Sequence, residues 1–468
     1  MSDMKILLIQ AKIPEQELNA ISLPIGLMSI SSYCKNNGYD NIKIISLDID
    51  SANWEQRLID YAPDVVGIGS IVAQGRSLYE IASFVKKNLK SKVICGGAYP
   101  TYSFNEILNN KNIDFCVIGE GEIPFLKILS YFDGKISIDE VPSIAYKKND
   151  KIIINEKKEI IDNLDDLPFL DYSSVDIIGY RKKHIPCSIY AYGKNHIPYL
   201  TSRGCPYRCI YCHKIQGCKF RAHSPERIIA DIKKLHNLFG SNVIEIVDDI
   251  ANFDINRFKK LLLLIKEELY GIDVYFSGGL SINRLDEESI DLMKEAGIKY
   301  FAVGIESGSA RIQKLINKNI NLNRAKKLIS YASNKRIFIH GLFMIGFPFE
   351  KETDIKETIK FASSLQIHTM LVSTCFAYPG TELSKMLPEK DVKNIYTDTI
   401  HYSRYEGFIP NINGIPYSKI KKYKFLMNLK FYYSPKRIYR ILRDLPNRNI
   451  RLLNLLLKKL IERTFPFI

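Results

Sequence analysis

Three cysteines stand within eight residues, in the run Thr201-Ser202-Arg203-Gly204-Cys205-Pro206-Tyr207-Arg208-Cys209-Ile210-Tyr211-Cys212. At this spacing three thiolates can curl around one iron–sulfur cubane and ligate three of its irons. The fourth iron is then left without a protein ligand and open to a substrate. Gly204 and Pro206 shape a loop rather than a helix. A structural zinc site is the alternative. Zinc takes four ligands in a closed tetrahedron, and Cys218 or His213 would supply the fourth. Against zinc, the loop follows a strand at the end of the fold where barrels do chemistry. Nine cysteines in a chain of this length are not a secreted disulfide framework; they fit a reducing compartment and a metal site. Cys34, Cys95, Cys116 and Cys375 fall in or near strands and helices and read as core.

The elements that must position this loop begin near residue 196. Strands are expected at 199–202, 243–247, 274–277, 300–304, 338–345 and 370–374. Helices are expected at 225–238, 256–269, 287–296, 324–334 and 352–364. Six strand–helix units predict a closed or partly closed parallel barrel, with its chemistry at the C-terminal strand ends. Those ends carry Asp248-Asp249, Ser277-Gly278-Gly279, Glu306-Ser307-Gly308, Gly346-Phe347-Pro348 and Tyr378-Pro379-Gly380. Glu306 and Ser307 offer acceptors for an ammonium group and ribose hydroxyls, and the glycines let backbone approach a ligand closely. The acidic pair at 248 and 249 can equally serve as helix caps.

Upstream, strands are expected at 5–10, 42–47, 65–70, 93–95 and 115–118, with helices at 26–37, 54–61, 78–88 and 123–131. This alternation predicts a parallel sheet covered on both faces. The first strand runs into Gln10-Ala11-Lys12-Ile13-Pro14, without the glycine turn of a dinucleotide site. Gly96, Gly97, Gly119 and Gly121 lie instead at the ends of strands four and five, facing the crevice in which such sheets bind ligands. Two short runs around Lys148-Asn149-Asp150 read as a small hairpin, and 135–195 as a linker with little structure of its own. The expected division is 1–134, a doubly wound domain; 135–195, a linker; 196–395, the barrel; and 396–468, a helical C-terminal region.

Cys-x-x-x-Cys-x-aromatic-Cys after the first barrel strand resembles the radical S-adenosylmethionine superfamily. The resemblance implies a 4Fe–4S cluster on Cys205, Cys209 and Cys212, whose open iron chelates S-adenosylmethionine. One electron then yields a 5′-deoxyadenosyl radical. It places Tyr211 beside the adenine and makes Asp248, Ser277, Glu306 and Ser307 candidate cofactor contacts. The upstream domain resembles the cobalamin-binding domain that precedes many such barrels. The matching pieces are Leu23-Pro24-Ile25-Gly26-Leu27, Val66-Gly67-Ile68-Gly69-Ser70, Cys95-Gly96-Gly97-Ala98-Tyr99-Pro100 and Ile118-Gly119-Glu120-Gly121-Glu122. They make Pro24, Gly26, Ser70, Gly96, Gly97, Gly119 and Glu120 candidate cobalamin contacts. Many cobalamin domains carry Asp-x-His-x-x-Gly, whose histidine binds cobalt. This chain has no histidine before His184, so the domain offers none. A domain that has lost cobalamin and only shapes the barrel mouth is the alternative. The expected fold is α/β: a doubly wound parallel sheet, a partial (β/α)6 TIM-type barrel and a helical C-terminal region.

The chain has 468 residues, 46% hydrophobic and 25% charged, which predicts large buried cores in two to four domains of about 100–200 residues each. The net charge of +15 fits nucleic acid, an anionic membrane or acidic substrates, or reflects a drift toward lysine. The C-terminal segment mixes basic, aromatic and apolar positions. It reads as an amphipathic surface for anionic lipid, or as helices packed on the barrel with their charges in water. The longest apolar runs are too short to span a bilayer, and the opening residues carry no signal-peptide pattern. A cytoplasmic protein, peripheral at the membrane as an option, is expected. The expected activity is cobalamin-dependent methylation of an unactivated carbon in a small or lipid-like substrate, with an electron donor such as flavodoxin or ferredoxin. A radical cyclase, oxidase or rearrangement enzyme is the alternative. A tRNA methylthiotransferase ranks last, because Cys34, Cys95 and Cys116 do not form a second cluster trio and no RNA-binding module is present.

Overall fold

Short apolar runs such as Ile6–Ile9 and Val65–Ile68 recur early in the chain, and they form strands buried on both faces. The structure, a computed structural model, describes residues 2–13, 21–156, 158–184, 186, 188–388 and 413–445. In the first of two units, β1 (Ile6–Gln10), β2 (Ile42–Ser46), β3 (Val65–Gly69), β4 (Lys92–Gly96) and β5 (Phe115–Val117) pair in parallel. Helices α1 (Ile25–Asn36), α2 (Trp54–Tyr61), α3 (Gly75–Asn88), α4 (Ala98–Ile107) and α5 (Glu122–Phe132) connect or follow them. In α3 the buried Leu78, Ile81, Ala82 and Val85 mark one helical face.

The sheet does not stop at β5. The strands β6 (Ile144–Lys148) and β7 (Lys151–Asn155) form the expected hairpin, but β6 pairs antiparallel with β5 through Phe115↔Tyr146, Cys116↔Ala145 and Val117↔Ile144. The order is β2-β1-β3-β4-β5-β6-β7. A three-residue β5 would otherwise be an open edge, and the hairpin covers it. Beyond residue 134, where the first domain is expected to end and a linker 135–195 to begin, the unit runs on through α6 (Ile177–Lys183), and Asp171 is bound to Lys35 at 2.6 Å and Ser31 at 2.7 Å on α1. The helix α4 is also absent from the sequence reading. Its Ala-Tyr-Pro-Thr-Tyr-Ser start carries no strong helix-forming run, and the helix bends at Ser103.

The second unit holds the barrel. Its strands β8 (His196–Tyr199), β11 (Val243–Ile246), β12 (Asp273–Leu280), β13 (Tyr300–Glu306), β14 (Phe338–Ile345) and β15 (Thr369–Thr374) are all parallel, in the order β15-β14-β13-β12-β11-β8. The sheet has two edges, as a partial barrel must. The first strand ends at Tyr199, not at Ser202. Instead β9 (Ser202–Arg203) turns aside and pairs antiparallel with β10 (Arg221–Ala222). The helices are α7 (Pro225–Phe239), α8 (Ile255–Glu268), α9 (Glu287–Glu295), α10 (Ala310–Leu315), α11 (Leu322–Asn334) and α12 (Glu352–Ser364). Side chains start four of them: Ser224, Asp254, Asp286 and Asn321 accept hydrogen bonds from first-turn N–H groups.

At the N-terminal ends of the strands, Tyr190, Tyr275, Tyr300 and Phe338 fill the bore. Two C-terminal helices complete this unit. Helix Tyr417–Tyr432 buries Ile420, Tyr423, Met427 and Phe431, and packs on α12 and β15. In helix Pro435–Asp444, the buried Arg437 donates to the carbonyls of Ser363 in the last turn of α12 and of Leu365 and Ile367 just beyond it. Its last residue, Asp444, accepts from His368 Nε2 at 2.9 Å and pairs with Arg443. His368 Nδ1 accepts from Ile339 N–H at 3.0 Å. The rest of the expected helical region 396–468 lies outside the described residues.

Burial alone would raise the Asp444 carboxyl, but His368 and Arg443 hold it down at about 2. Burial lowers the His368 pKa, so the ring stays neutral. A depressed carboxyl stabilises the fold above its unfolded pKa of about 3.9, and that stability is lost as pH falls through about 2. Asp444→Ala should cost about 3 kcal/mol in urea unfolding at pH 7, because it leaves buried partners unpaired. It should also flatten the acid limb of the stability curve between those two pKa values.

Candidate functional site

The cysteine loop hangs from a pinned start. Asp248, one residue beyond Val247 at the end of β11, accepts from Thr201 N–H at 2.6 Å, Thr201 Oγ1 at 2.5 Å and Ser202 Oγ at 2.5 Å. Arg257 on α8 donates to the carbonyls of Thr201 at 2.9 Å and His223 at 2.8 Å. Burial raises the Asp248 carboxyl, and its Ser202 and Thr201 partners oppose that. Asp248, an expected cofactor contact, is 1% exposed, with both oxygens engaged, and it holds the loop's root.

From that root the chain turns at Gly204, with φ +81°, and presents Cys205, Cys209 and Cys212. The walls of the hollow desolvate all three thiols and raise their pKa values, that of Cys212 to about 12. Cys209 adds to the rise at both Cys205 and Cys212, so the three face one another. Lys318 opposes the rise at each. Burial works against the Lys318 ammonium, yet Glu306, Cys209 and Cys212 more than offset it and its pKa is raised.

Glu306 ends β13 at φ +65°, a conformation that side chains rarely adopt, and pairs with Lys318 at 3.5 Å. A Cβ on Gly304 would lie 2.8 Å from Glu306 Oε1 and 3.3 Å from Lys318 Nζ, so glycine there makes room for the pair. Asp249 acts on Cys205 and Cys212, and burial raises its carboxyl. Tyr211 packs edge-on against Phe347, ring centroids 5.9 Å apart, and burial followed by Glu306 and Cys209 raises its phenol.

Two other expected residues are placed differently. Ser277 donates to the buried Glu245 at 3.0 Å, and Glu245 also accepts from Ser188 N–H at 3.3 Å. Ser307 is 0% exposed, within 3.0 Å of Thr358 Oγ1, and accepts from Ser309 N–H. Both hydroxyls are therefore committed inside the fold. Asp249 and Lys318 take the prominence that the sequence reading gave to Asp248 and Ser307. Lys318 sits in an Asn-Lys-Asn run with nothing local to distinguish it.

The donor set fits an iron–sulfur cluster with one open iron: three mutually facing thiols, a neighbouring cation and, among the described residues, no fourth cysteine acting on them. Cys218 is not among the charges acting on the three thiols. His213 Nε2 is bonded to the Pro379 carbonyl at 2.9 Å. The two candidates for a fourth zinc ligand are thus otherwise placed.

In the first unit the strand order reverses between β1 and β3, the switch point at which such sheets bind ligands. Ser70, just beyond β3, donates its N–H to Gly96 O at 3.0 Å and accepts from Tyr99 N–H at 3.3 Å. Gly97 has φ +101°, and a Cβ there would lie 2.5 Å from Ser70 O. Pro24 and Gly26 lead into α1, and Gly26 has open space at its Cβ position. Gly96 also has room, its nearest neighbour 3.8 Å away, while Gly119 N–H donates to Thr101 Oγ1 at 3.0 Å. Glu120 is half-buried next to Gly119. The Ser70 hydroxyl is buried with no hydrogen-bond partner among the described residues. A buried polar atom of this kind calls for a partner, and it lies beside the glycines that edge the crevice at the switch point.

Cys205→Ala, Cys209→Ala and Cys212→Ala should each lose iron and sulfide after anaerobic reconstitution, and Cys218→Ala should keep both. Metal and sulfide assays with electron paramagnetic resonance check this. Zinc without iron in the anaerobic protein would contradict it.

Residues 199–362 match the profile of the Radical SAM superfamily, and residues 16–129 that of the B12 binding domain. The chain is 28% identical over 422 residues to an uncharacterized methyltransferase of Pyrococcus horikoshii, covering 88% of each chain. It is 27% identical over 463 residues to a cytidylyl-2-hydroxyethylphosphonate methyltransferase of Streptomyces wedmorensis, covering 84% of this chain and 86% of that one. Among solved structures it resembles the radical S-adenosylmethionine methyltransferase TsrM from Kitasatospora setae, which holds cobalamin and a 4Fe–4S cluster. The TM-score is 0.69 at 15% identity, over 84% of this chain and 75% of that one. The three-thiol loop, the partial barrel and the glycine-walled crevice agree with both profiles: the chain belongs to the radical S-adenosylmethionine enzymes that carry a cobalamin-binding domain.

Proposed function

We propose that the protein is a cobalamin-dependent radical S-adenosylmethionine C-methyltransferase acting on a small or lipid-like substrate. The pairing of the three-thiol hollow with a crevice holding an unpartnered Ser70 hydroxyl carries this reading. When bound, the cluster and S-adenosylmethionine supply a carbon-centred oxidant, and cobalamin supplies a methyl group.

The protein's own part is to hold and orient. Cys205, Cys209 and Cys212 hold the cluster. Lys318 faces the carboxylate of S-adenosylmethionine, Glu306 and Asp249 face its ammonium, and Tyr211 lies against its adenine. Ser70, Gly26, Gly96, Gly97 and Gly119 admit cobalamin. The residues leading from Gly26 through Gly119 include no histidine, so cobalt takes no histidine from this domain.

The substrate meets the bore. Along β14 and β15 one set of side chains is buried on the side packed by α11 and helix Tyr417–Tyr432. The alternate set is more exposed and in register: His340↔Thr369, Leu342↔Leu371 and Met344↔Ser373. Leu371 is 39% exposed on a barrel strand, where a closed core would bury it. Leu342, Met344 and Leu371 give this face an apolar middle between polar ends, which suits a substrate with an apolar portion.

Anaerobic reconstitution with S-adenosylmethionine, cobalamin and a low-potential flavodoxin or ferredoxin tests the activity. A methylated product formed together with 5′-deoxyadenosine supports it. 5′-Deoxyadenosine without methyl transfer supports a cyclase or rearrangement enzyme instead. Labelling the histidines with nitrogen-15 should leave the resonance spectrum of cob(II)alamin on the protein unchanged, and Ser70→Ala should weaken cobalamin retention.

Peripheral contact with anionic lipid belongs to the same proposal. No described helix is long and apolar enough to cross a membrane. On helix Pro435–Asp444, however, Arg437, Ile441 and Asp444 face the barrel, while Ile438, Tyr439 and Leu442 are 50%, 66% and 46% exposed among Lys436, Arg440 and Arg443. An apolar stripe flanked by cations suits a membrane surface. Ile438→Glu with Tyr439→Glu should abolish co-sedimentation with phosphatidylserine vesicles at low salt and leave the cluster intact.

A further inference from the structure

The chain that follows Cys212 directly, His213–Gly217, belongs to the first unit, as does the stretch from Tyr378. It is fastened there by rings and hydrogen bonds. The His213 ring stacks on Tyr102 of α4, centroids 4.6 Å apart and planes 10° apart. On another side it meets Tyr378 at 5.1 Å. Its Nε2 contacts the Pro379 carbonyl at 2.9 Å, so Nε2 carries the proton and donates. Lys214 N–H donates to Tyr102 Oη at 2.8 Å. Gly380 lies so close to Tyr102 that a Cβ would sit 2.1 Å from Cδ1.

The same turn of α4 forms the crevice wall. Tyr99 N–H is bound to Ser70 O, and Thr101 Oγ1 accepts from Gly119 N–H. Tyr102 comes next, and the helix leaves helical dihedrals at Ser103, which fixes where the Tyr102 ring points. Beyond His213, the Ile215 carbonyl lies 3.6 Å from the Cβ position of Gly119. The strap after the last cluster thiolate therefore touches two elements that line the crevice, α4 and Gly119. A ligand that settles on Ser70, Gly97 and Gly119 fixes the surface against which the strap is packed.

We propose that His213 is a positioning residue through which cobalamin in the crevice and the cluster on the three thiols stabilise one another. The coupling rests on the cobalamin reading above. Two bound groups that order a shared element bind more tightly together than separately, and the effect is reciprocal. The stack needs an aromatic ring at 213, and the Pro379 bond needs a donor on it. An alanine removes both.

The test is cobalamin affinity, measured anaerobically on the full chain by absorbance titration with hydroxocobalamin, with and without the reconstituted cluster. The cluster should tighten binding by roughly fivefold or more in the wild type, and by less than about twofold in His213→Ala. His213→Phe keeps the ring and should recover part of the difference. Tyr102→Phe keeps the stack, loses the bond to Lys214, and should retain most of it. Equal tightening in the wild type and His213→Ala overturns the proposal, as does a wild type whose affinity ignores the cluster. If the wild type binds no cobalamin in either state, the cobalamin reading falls and takes this coupling with it. Should His213→Ala not fold, absent tightening in a folded Tyr102→Ala supports the proposal and full tightening overturns it.

Discussion

The Asp248 carboxylate, 1% exposed beyond the end of β11, accepts three hydrogen bonds from Thr201 and Ser202. Hydrogen bonds to a charged acceptor are about twice as strong as neutral ones, and burial sharpens their directionality. This interaction decides where β8 stops being barrel and becomes ribbon. β9 then pairs with β10, so both ends of the cysteine loop are anchored in a two-stranded patch. Arg257 secures the same backbone from the carbonyl side. Without this anchorage, three cysteines in a glycine- and proline-containing loop have no reason to share one hollow.

The cysteine loop was legible because its information is local. Spacing, Gly204 and Pro206 define it without reference to the rest of the chain. Strands such as β14 and helices such as α12 were legible because period-two and 3.6-residue patterns persist over eight or more residues. The direction of side chains at strand ends is not written in local sequence. Asp248 and Asp249 are neighbours, so one faces the loop's root while the other faces the thiols, and sequence does not say which. In β13 the register with β14 shifts between Gly304 and Glu306, so alternation cannot be extended through Glu306 to Ser307. The role of Lys318 depends on tertiary placement alone. The hairpin β6–β7 was recognised as a hairpin, but its partner strand lies 26 or more residues upstream, and no local signal names it.

The C-terminal chemistry was read as charge, and packing redistributes it. Arg437 carries a guanidinium, yet burial lowers its pKa to about 9, and its nitrogens serve carbonyls at and just beyond the end of α12. Lys419 and Tyr423 are committed to Glu352. Part of the basic excess in this region is therefore structural, a set of donors that closes the outer layer of the barrel. Among the described residues of this region, the outward stripe of helix Pro435–Asp444 keeps Ile438, Tyr439 and Leu442 exposed beside its cations.

The barrel's strands separate two tasks along their length. Their first residues meet in an aromatic floor locked by His368 and Asp444, while their last residues face the thiols, Glu306 and Lys318. Sites more than about 7–10 Å apart without shared partners contribute additively to stability. Changes at the mouth that alter substrate preference thus carry little penalty at the floor, and a reinforced floor can compensate for a destabilising mouth. Such a barrel can diversify at one end while its other end stays constant, so sequence divergence between relatives of different specificity should concentrate at the mouth.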